Sequence, residues 1–308
     1  MMLDRSSNNY YGGIEAGGTK FVCALGDARG QILQQITIPT SSPQETLSSV
    51  FGFFRSQPQK VSAIGVGAFG PIDLNTESMS YGRILPTPKP GWTNTDIVGE
   101  ISSALQTPVS LDTDVNCALL AEAETGAGRG FANLAYVTIG TGIGAGIMTN
   151  RQVLYGASHP EIGHMYAPSL PFDQDFEGVC PYHGKNCLEG LVSGPAIYKR
   201  WQLTSSELPE GHEAWQIIAH YISIVCMNVQ LCVAPDKIIL GGGVMRQQKL
   251  FPLVRDSFRA NLNGYGRSGV NLNALEEFIV PPGLNGDAGV IGALQIARSE
   301  QNNAKILV

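Results

Sequence analysis

The chain has 308 residues, 43% of them hydrophobic and 15% charged, with a formal net charge of −6. That balance excludes a disordered chain, and the length predicts two lobes rather than one domain. No Lys/Arg cluster is present to attract nucleic acid, no apolar run is read as long enough to span a bilayer, and "MMLDRSSNNY" has no apolar signal core, so a cytoplasmic protein with neither nucleic-acid nor membrane partners is expected.

In chain order, "YYGGIEAGGTKFVCALGD" predicts a strand, a glycine turn and a second strand, and "GQILQQITIP" a third. "SSPQETLSSVFGFFRS" has helical spacing at Leu47, Val50, Phe51 and Phe54. "AIGVGAFG" and "PVSLDTD" read as strands, with the helix "TNTDIVGEISSALQT" between them. "DVNCALLAEAETGAG" opens on a carboxylate suited to an N-cap and closes on glycine, so it reads as a helix. The pattern then restarts. "LAYVTIGTGIGAGIMTNRQVLYG" is again strand, glycine turn, strand, short turn, strand, and it duplicates the opening unit. The long apolar helix "AWQIIAHYISIVCMNVQLCVAP", the strand "KIILGGGV" and a last helix from about Ala288 follow. The expected division is an N-terminal lobe over 1–115, completed by the helix at 288–308, and a C-terminal lobe over 116–287. Two such lobes imply a cleft between them, with a glycine loop from each facing it.

Those loops are "EAGGTK", with Gly17, Gly18, Thr19 and Lys20, and "GTGIGAG", with Gly142 and with Thr138 and Thr141 beside it. Each is either a hairpin that needs glycine for positive φ or a cradle of N–H and hydroxyl donors for a polyanion; the pairing favours phosphate. "LGGGVM", with Gly242 and Gly243, and "PGLNGDAG", with Gly283 and Asp287, are candidate walls of an adenosine pocket. In "SLDTDVN", Asp112, Asp114 and Asn116 stand at a strand–helix junction, where an aspartate serves as a cap or as a general base for phosphoryl transfer to an alcohol. Glu15 is a candidate to orient Mg²⁺ through water.

"GVCPYHGKNCLEG" places Cys180, His183 and Cys187 close together, and "HPEIGHMY" supplies Glu161 and His164 upstream. A disulfide is disfavoured in the cytoplasm, and incidental residues remain the bland alternative. His164, Cys180, His183 and Cys187 form a two-His, two-Cys set suited to a structural, tetrahedral Zn²⁺ that would hold a loop. Glu161, Glu189 and a free face of His164 would then meet a polyol such as a sugar. Cys23, Cys117, Cys226 and Cys232 read as buried free thiols.

"GGIEAGGTK", "GAFGPID", "LDTDVN", "GTGIGAG", "EIGH", "CPYHGKNCLEG" and "GGGV", in this order from about Tyr11 to the C-terminus, resemble the ROK family of sugar kinases and repressors. "TPKPGW", "DTDVN" and the "CPYH" segment are most similar to its bacterial fructokinase branch. The resemblance implies an α/β, two-lobed, actin-like (ribonuclease-H-like) fold with ATP and sugar between the lobes, and an enzyme that phosphorylates the 6-hydroxyl of a hexose, fructose first, with mannose, glucose and N-acetylmannosamine as alternatives. It implies Asp114 as catalytic base and Gly70, Asn116, Glu161, His164 and Glu189 at the sugar. Gly17, Gly18, Thr19, Lys20, Thr138, Thr141 and Gly142 would serve ATP, which arrives with Mg²⁺. It further implies a zinc-binding loop and a homodimer. Three departures stand out: Thr113 where many relatives have asparagine, Tyr182 in place of a second cysteine so that His183 must supply a ligand, and Glu15 in place of an aspartate. A sugar-responsive repressor would need a helix-turn-helix ahead of the first hairpin, and no room is expected for one before Tyr10. A non-catalytic sugar-binding module would need neither Asp114 nor two phosphate loops.

Overall fold

The computed structural model describes residues 9–265 and 270–306. They form two compact units: unit 1 comprises residues 9–121, 156–159 and 287–306, and unit 2 comprises residues 122–155, 160–265 and 270–286.

Unit 1 is built on a sheet of β1 (Tyr10–Ala16), β2 (Lys20–Gly26), β3 (Ile32–Pro39), β4 (Val61–Ala68) and β5 (Val109–Thr113), in the order β3-β2-β1-β4-β5. The first three strands are antiparallel neighbours; β4 runs parallel to β1, and β5 parallel to β4. Helix α1 (Pro43–Arg55) starts where the Ser42 hydroxyl accepts the Glu45 N–H; of the spaced apolar residues Leu47, Val50 and Phe54 are buried and Phe51 is half-buried. Helices α2 (Ile97–Leu105) and α3 (Asp114–Thr125) follow, and α3 ends in unit 2. The last helix, α9 (Ala288–Ile306), lies on β1 and β4 so closely that a Cβ at Gly13 would meet the Val290 carbonyl and one at Gly65 the Ala293 carbonyl. Bare backbone on the sheet is what admits that helix.

Unit 2 repeats the plan. β6 (Leu134–Ile139), β7 (Ile143–Thr149), β8 (Gln152–Val153), β9 (Lys237–Gly241) and β10 (Ile279–Val280) form a sheet in the order β10-β9-β6-β7-β8. Again the first three strands are antiparallel and the last two add in parallel, so the strand-for-strand correspondence with unit 1 is complete. The duplicated glycine hairpin in the sequence is therefore duplicated topology. Helices α4 (Leu188–Val192), α5 (Gly194–Trp201), α6 (Ala214–Val233), α7 (Leu250–Leu262) and α8 (Leu275–Phe278) complete the unit.

Helix α6 corrects one expectation. It is long and apolar enough to cross a membrane by length and composition. Trp215, Ile218, Tyr221, Ile222 and Val225 are instead buried in the unit 2 core, which is what a central helix of a globular domain requires. A second correction concerns the cysteines: Cys23, Cys117 and Cys226 are buried free thiols, but Cys232 is exposed. It lies in the last turn of α6 beside the exposed Leu231, beyond the buried stripe.

At the base of the cysteine-rich loop, Arg200 and Tyr221 both donate to Asp173 Oδ2, at 2.9 and 2.8 Å, and the guanidinium stacks on Phe176 with its carbon 3.8 Å from the ring centroid. Burial lowers the Arg200 pKa, while the Asp173 charge opposes that shift. This network ties the segment just before Cys180 to α5 and α6.

Candidate active site

In unit 1 the junction of β5 and α3 holds "DTDVN". The helix is not capped by Asp114, as the sequence suggests. The Thr113 hydroxyl accepts the Asn116 N–H at 3.1 Å, which is the N-cap bond. The half-buried Asp114 stands first in the helix, and its Oδ1 accepts the Val115 N–H at 2.9 Å. Asn116 is buried, and its amide donates to the buried Asp112 at 2.7 Å; Asp112 Oδ1 also accepts the Thr113 N–H. That bond engages one of the two N–H donors of the Asn116 amide.

The first glycine turn joins β1 to β2. Neither Gly17 nor Gly18 has positive φ, so the hairpin reason for glycine fails here. Gly17 is required because a Cβ would stand 2.8 Å from the Lys20 carbonyl, whereas a Cβ on Gly18 would point into open space. The fold makes no demand for glycine at Gly18; a closely approaching ligand would. Thr19 and Lys20 are exposed beside it. Burial raises the Glu15 carboxyl; the Lys20 charge lowers it and the Asp287 charge raises it. Glu15 Oε2 is a buried oxygen with no hydrogen-bond partner, while Asp287 accepts from the Gln35 amide at 3.2 Å. Glu15, Lys20 and Asp287 thus form one electrostatic group within unit 1. An orphaned carboxylate oxygen beside a phosphate-type turn suits a hydrated cation, so the chemistry of the donors fits Mg²⁺.

After β4, Gly70 and Pro71 are joined by a cis peptide bond. The Ile72 N–H donates to Nε2 of His159 at 3.2 Å. Sequence reasoning passed over His159, although it immediately precedes "PEIGH".

In unit 2 the second glycine turn meets the cysteine-rich loop. A Cβ on Gly142 would stand 2.6 Å from Glu189 Oε2, and that oxygen accepts the Ile143 N–H at 2.9 Å. Glu189 Oε1 lies 3.9 Å from Nε2 of His164. Glu161 joins the same group electrostatically: loss of water raises its carboxyl, the His164 charge lowers it and the Glu189 charge raises it. Two carboxylates and an imidazole thus gather beside the Gly142 turn. Thr141 is exposed in that turn and Thr138 is half-buried near the end of β6.

The other edge of His164 faces sulfur. Its Nδ1 is 3.7 Å from both Cys180 Sγ and Cys187 Sγ, and His183 Nδ1 is 3.6 Å from Cys180 Sγ. All four donor atoms lie within 4.8 Å of one another. A tetrahedron with Zn–S of about 2.3 Å and Zn–N of about 2.0 Å has S···N edges of about 3.6 Å, so these residues fit zinc closely. Backbone bonds set the loop: Gly184 N–H donates to the Cys180 carbonyl at 2.9 Å, and Val179 N–H to the Gly190 carbonyl at 3.0 Å. Gly184, at φ 55, turns the chain between the ligands, a conformation suited to glycine.

Two further glycines of unit 2 have structural duties. Gly242, at φ 89, sits against Ile139, and Gly283 against the Ala127 amide, while Gly243, like Gly18, has open space where a side chain would be. The residue that organises this region, Glu122, was not singled out from sequence. It is fully buried in the last turn of α3. Its Oε2 accepts the N–H groups of Ala127 and Gly283 at 2.6 and 2.9 Å, and its Oε1 accepts that of Leu284 at 2.9 Å.

A model of the ROK family matches residues 11–300. This chain belongs to the ROK family. It is 45% identical over 293 residues to a fructokinase of Pediococcus pentosaceus, covering 95% of this chain and 99% of that one. It is 40% identical over 304 residues to a fructokinase of Zymomonas mobilis, covering 97% and 99%. Among solved structures, a ROK hexokinase from Thermus thermophilus superposes with a TM-score of 0.74 at 26% identity, over 96% of this chain and 99% of that one. The ROK fold is the actin-like one, and its paired sheets are the two equivalent five-stranded sheets described above.

Proposed function

We propose that this ROK protein is a fructokinase, transferring the γ-phosphoryl group of ATP to the 6-hydroxyl of D-fructose. The observation that carries the reading is 40–45% identity to fructokinases across nearly the whole of both chains.

In this mechanism Asp114 accepts the hydroxyl proton as the sugar oxygen attacks phosphorus in line. The Thr113 cap supports that role, because its hydroxyl, and not the Asp114 carboxylate, accepts the Asn116 N–H at the helix start. Glu161, His164 and Glu189 hydrogen-bond sugar hydroxyls, and Gly70 lines the sugar site. Gly17, Gly18, Thr19 and Lys20 take the terminal phosphates, with Thr138, Thr141 and Gly142 opposite in role. Gly242, Gly243 and Gly283 border the adenosine, and Asp287 stands by Glu15 near the cation. Mg²⁺ bound with ATP supplies positive charge against the phosphate oxygens. His164, Cys180, His183 and Cys187 hold a structural zinc whose contribution is to fix the loop bearing His164 and Glu189. Cytoplasmic location and homodimeric assembly belong to the same proposal.

The test is ADP release with MgATP across fructose, mannose, glucose and N-acetylmannosamine, with the fructose product followed by an assay specific for the 6-phosphate. Highest kcat/KM on fructose supports the reading. Turnover on another hexose alone keeps the mechanism and overturns the substrate. No turnover on any sugar overturns the kinase reading.

A further inference from the structure

Glu122 occupies a place where a carboxylate is disfavoured. It lies in the last turn of α3 (Asp114–Thr125), at the negative end of the helix dipole, and it is fully buried. What offsets that cost is a set of backbone donors. Its side chain accepts three N–H groups, from Ala127, Gly283 and Leu284. Its own carbonyl accepts two more, from Gly126 and Gly128 at 3.1 and 3.0 Å. One residue thus gathers the turn after α3 and a loop 161 residues further along the chain.

The chemistry requires this residue type. Three N–H groups converging from two directions need two acceptor oxygens with several lone pairs, which a carboxylate supplies and an amide does not. The packing is equally specific. A Cβ on Gly283 would stand 2.6 Å from the Ala127 nitrogen, and one on Gly126 would collide with the Glu122 carboxyl. Gly126 is therefore cut to fit this carboxylate, and Gly283 to fit the Gly126–Ala127 backbone that bonds to it.

We infer that Glu122 is a positioning residue for the nucleotide, acting through the Gly283–Leu284 amides and the Gly126–Gly128 turn. The inference rests on the kinase reading above, in which Gly283 borders the adenosine. Glu122 itself is sealed from ligand. It sets where the loop backbone stands, and a backbone displaced by about 1 Å loses the close approach that glycine provides.

The experiment compares wild type and Glu122→Gln in the full chain. A glutamine keeps one acceptor oxygen and turns an NH₂ toward at least one N–H donor. Losing one such bond weakens the loop, so the KM for ATP and the Kd for ADP are expected to rise by about 10-fold. The KM for fructose should change less than about twofold, and the affinity for inorganic tripolyphosphate, which lacks adenosine, should be unchanged. A uniform loss of all three affinities would mark a general structural role and overturn the inference, as would an unchanged ADP affinity. If the variant fails to fold, amide hydrogen exchange on wild type decides: added ADP should slow exchange at Ala127, Gly283 and Leu284, and no slowing overturns the inference. A wild-type protein that neither binds ADP nor turns over fructose would instead overturn the kinase reading itself.

Discussion

The Gly142→Ala substitution separates the sugar site from the fold. The new Cβ would lie 2.6 Å from Glu189 Oε2, inside the closest distance that real side chains tolerate. What must yield is the tip of a flexible side chain rather than backbone, so the protein should still fold, its stability lowered by at most the about 1.5–3 kcal/mol of that carboxylate's bond to the Ile143 N–H. The carboxylate, however, is displaced from the Ile143 N–H that holds it at 2.9 Å. A hydrogen bond to a charged group contributes about 1.5–3 kcal/mol, which at 1.36 kcal/mol per tenfold corresponds to roughly 10–150-fold. If Glu189 binds the sugar, KM for fructose should rise within that range while KM for ATP and the metal content stay constant. Steady-state kinetics against both substrates reads this directly, with metal analysis alongside. Gly52→Ala in α1, where a Cβ meets open space, is the control; it should leave kinetics unchanged and stabilise the chain by about 0.5–1 kcal/mol. A folded Gly142→Ala variant with wild-type KM for fructose would refute the assignment of Glu189 to the sugar.

Further outcomes follow from the same geometry. Asp114→Asn should reduce kcat by about 10²–10⁴-fold with fructose affinity largely kept, measured by turnover and by equilibrium binding; near-normal turnover would remove it as the base. Chelation should strip one zinc per chain, lower the thermal midpoint and abolish turnover, whereas full activity in metal-free protein would show that the Cys/His cluster is dispensable. His159→Ala, which loses the acceptor for the Ile72 N–H, should raise KM for fructose by about 2–10-fold, with His159→Gln restoring much of it; equal kinetics for all three proteins would show that the Gly70 turn needs no tether. Burial pushes the Cys23 and Cys226 thiols from 9.0 up to about 12, so above pH 9 the unfolded chain ionises before the folded one does. Stability is therefore complete below pH 9 and lost as pH rises toward 12; a denaturant midpoint that stays flat across that window would contradict this burial.

The hairpins, the duplicated plan and the Cys/His cluster were legible because each is largely a short-range pattern. Paired glycines between β-branched runs mark a turn whatever surrounds them, and three of the four clustered Cys/His residues lie within eight residues. Helices α4, α5 and α7 were not marked out; the first two are short and open among the glycines and prolines of the cysteine-rich loop. Capping by Thr113 was hidden by its neighbour: aspartate and threonine both cap, and only the backbone geometry decides which one does. Glu122 was invisible for a different reason. Inside a helical run it reads as an ordinary polar residue, and the amides that define it arrive from the far end of unit 2. Glycine was the most ambiguous signal. Gly17 and Gly283 answer to backbone crowding and Gly242 to positive φ, while Gly18 and Gly243 answer to nothing in the fold, and no spacing in the sequence separates these cases.

Helix α9 imposes an order of events on synthesis. Unit 1 is otherwise nearly finished at Ala121, yet the face of its sheet bearing Tyr11, Val22, Ala24 and Ala63 is covered by Val290, Leu294 and Ala297. At 5–20 residues per second, the ribosome needs about 8–33 s to reach that helix. Through that interval a nascent half-sheet waits with a bare apolar face while unit 2 emerges and can collapse on its own core. The expected outcome for a chain ending before α9 is a sheet with that apolar face bare, prone to aggregation and proteolysis, which limited proteolysis of the truncated protein would check.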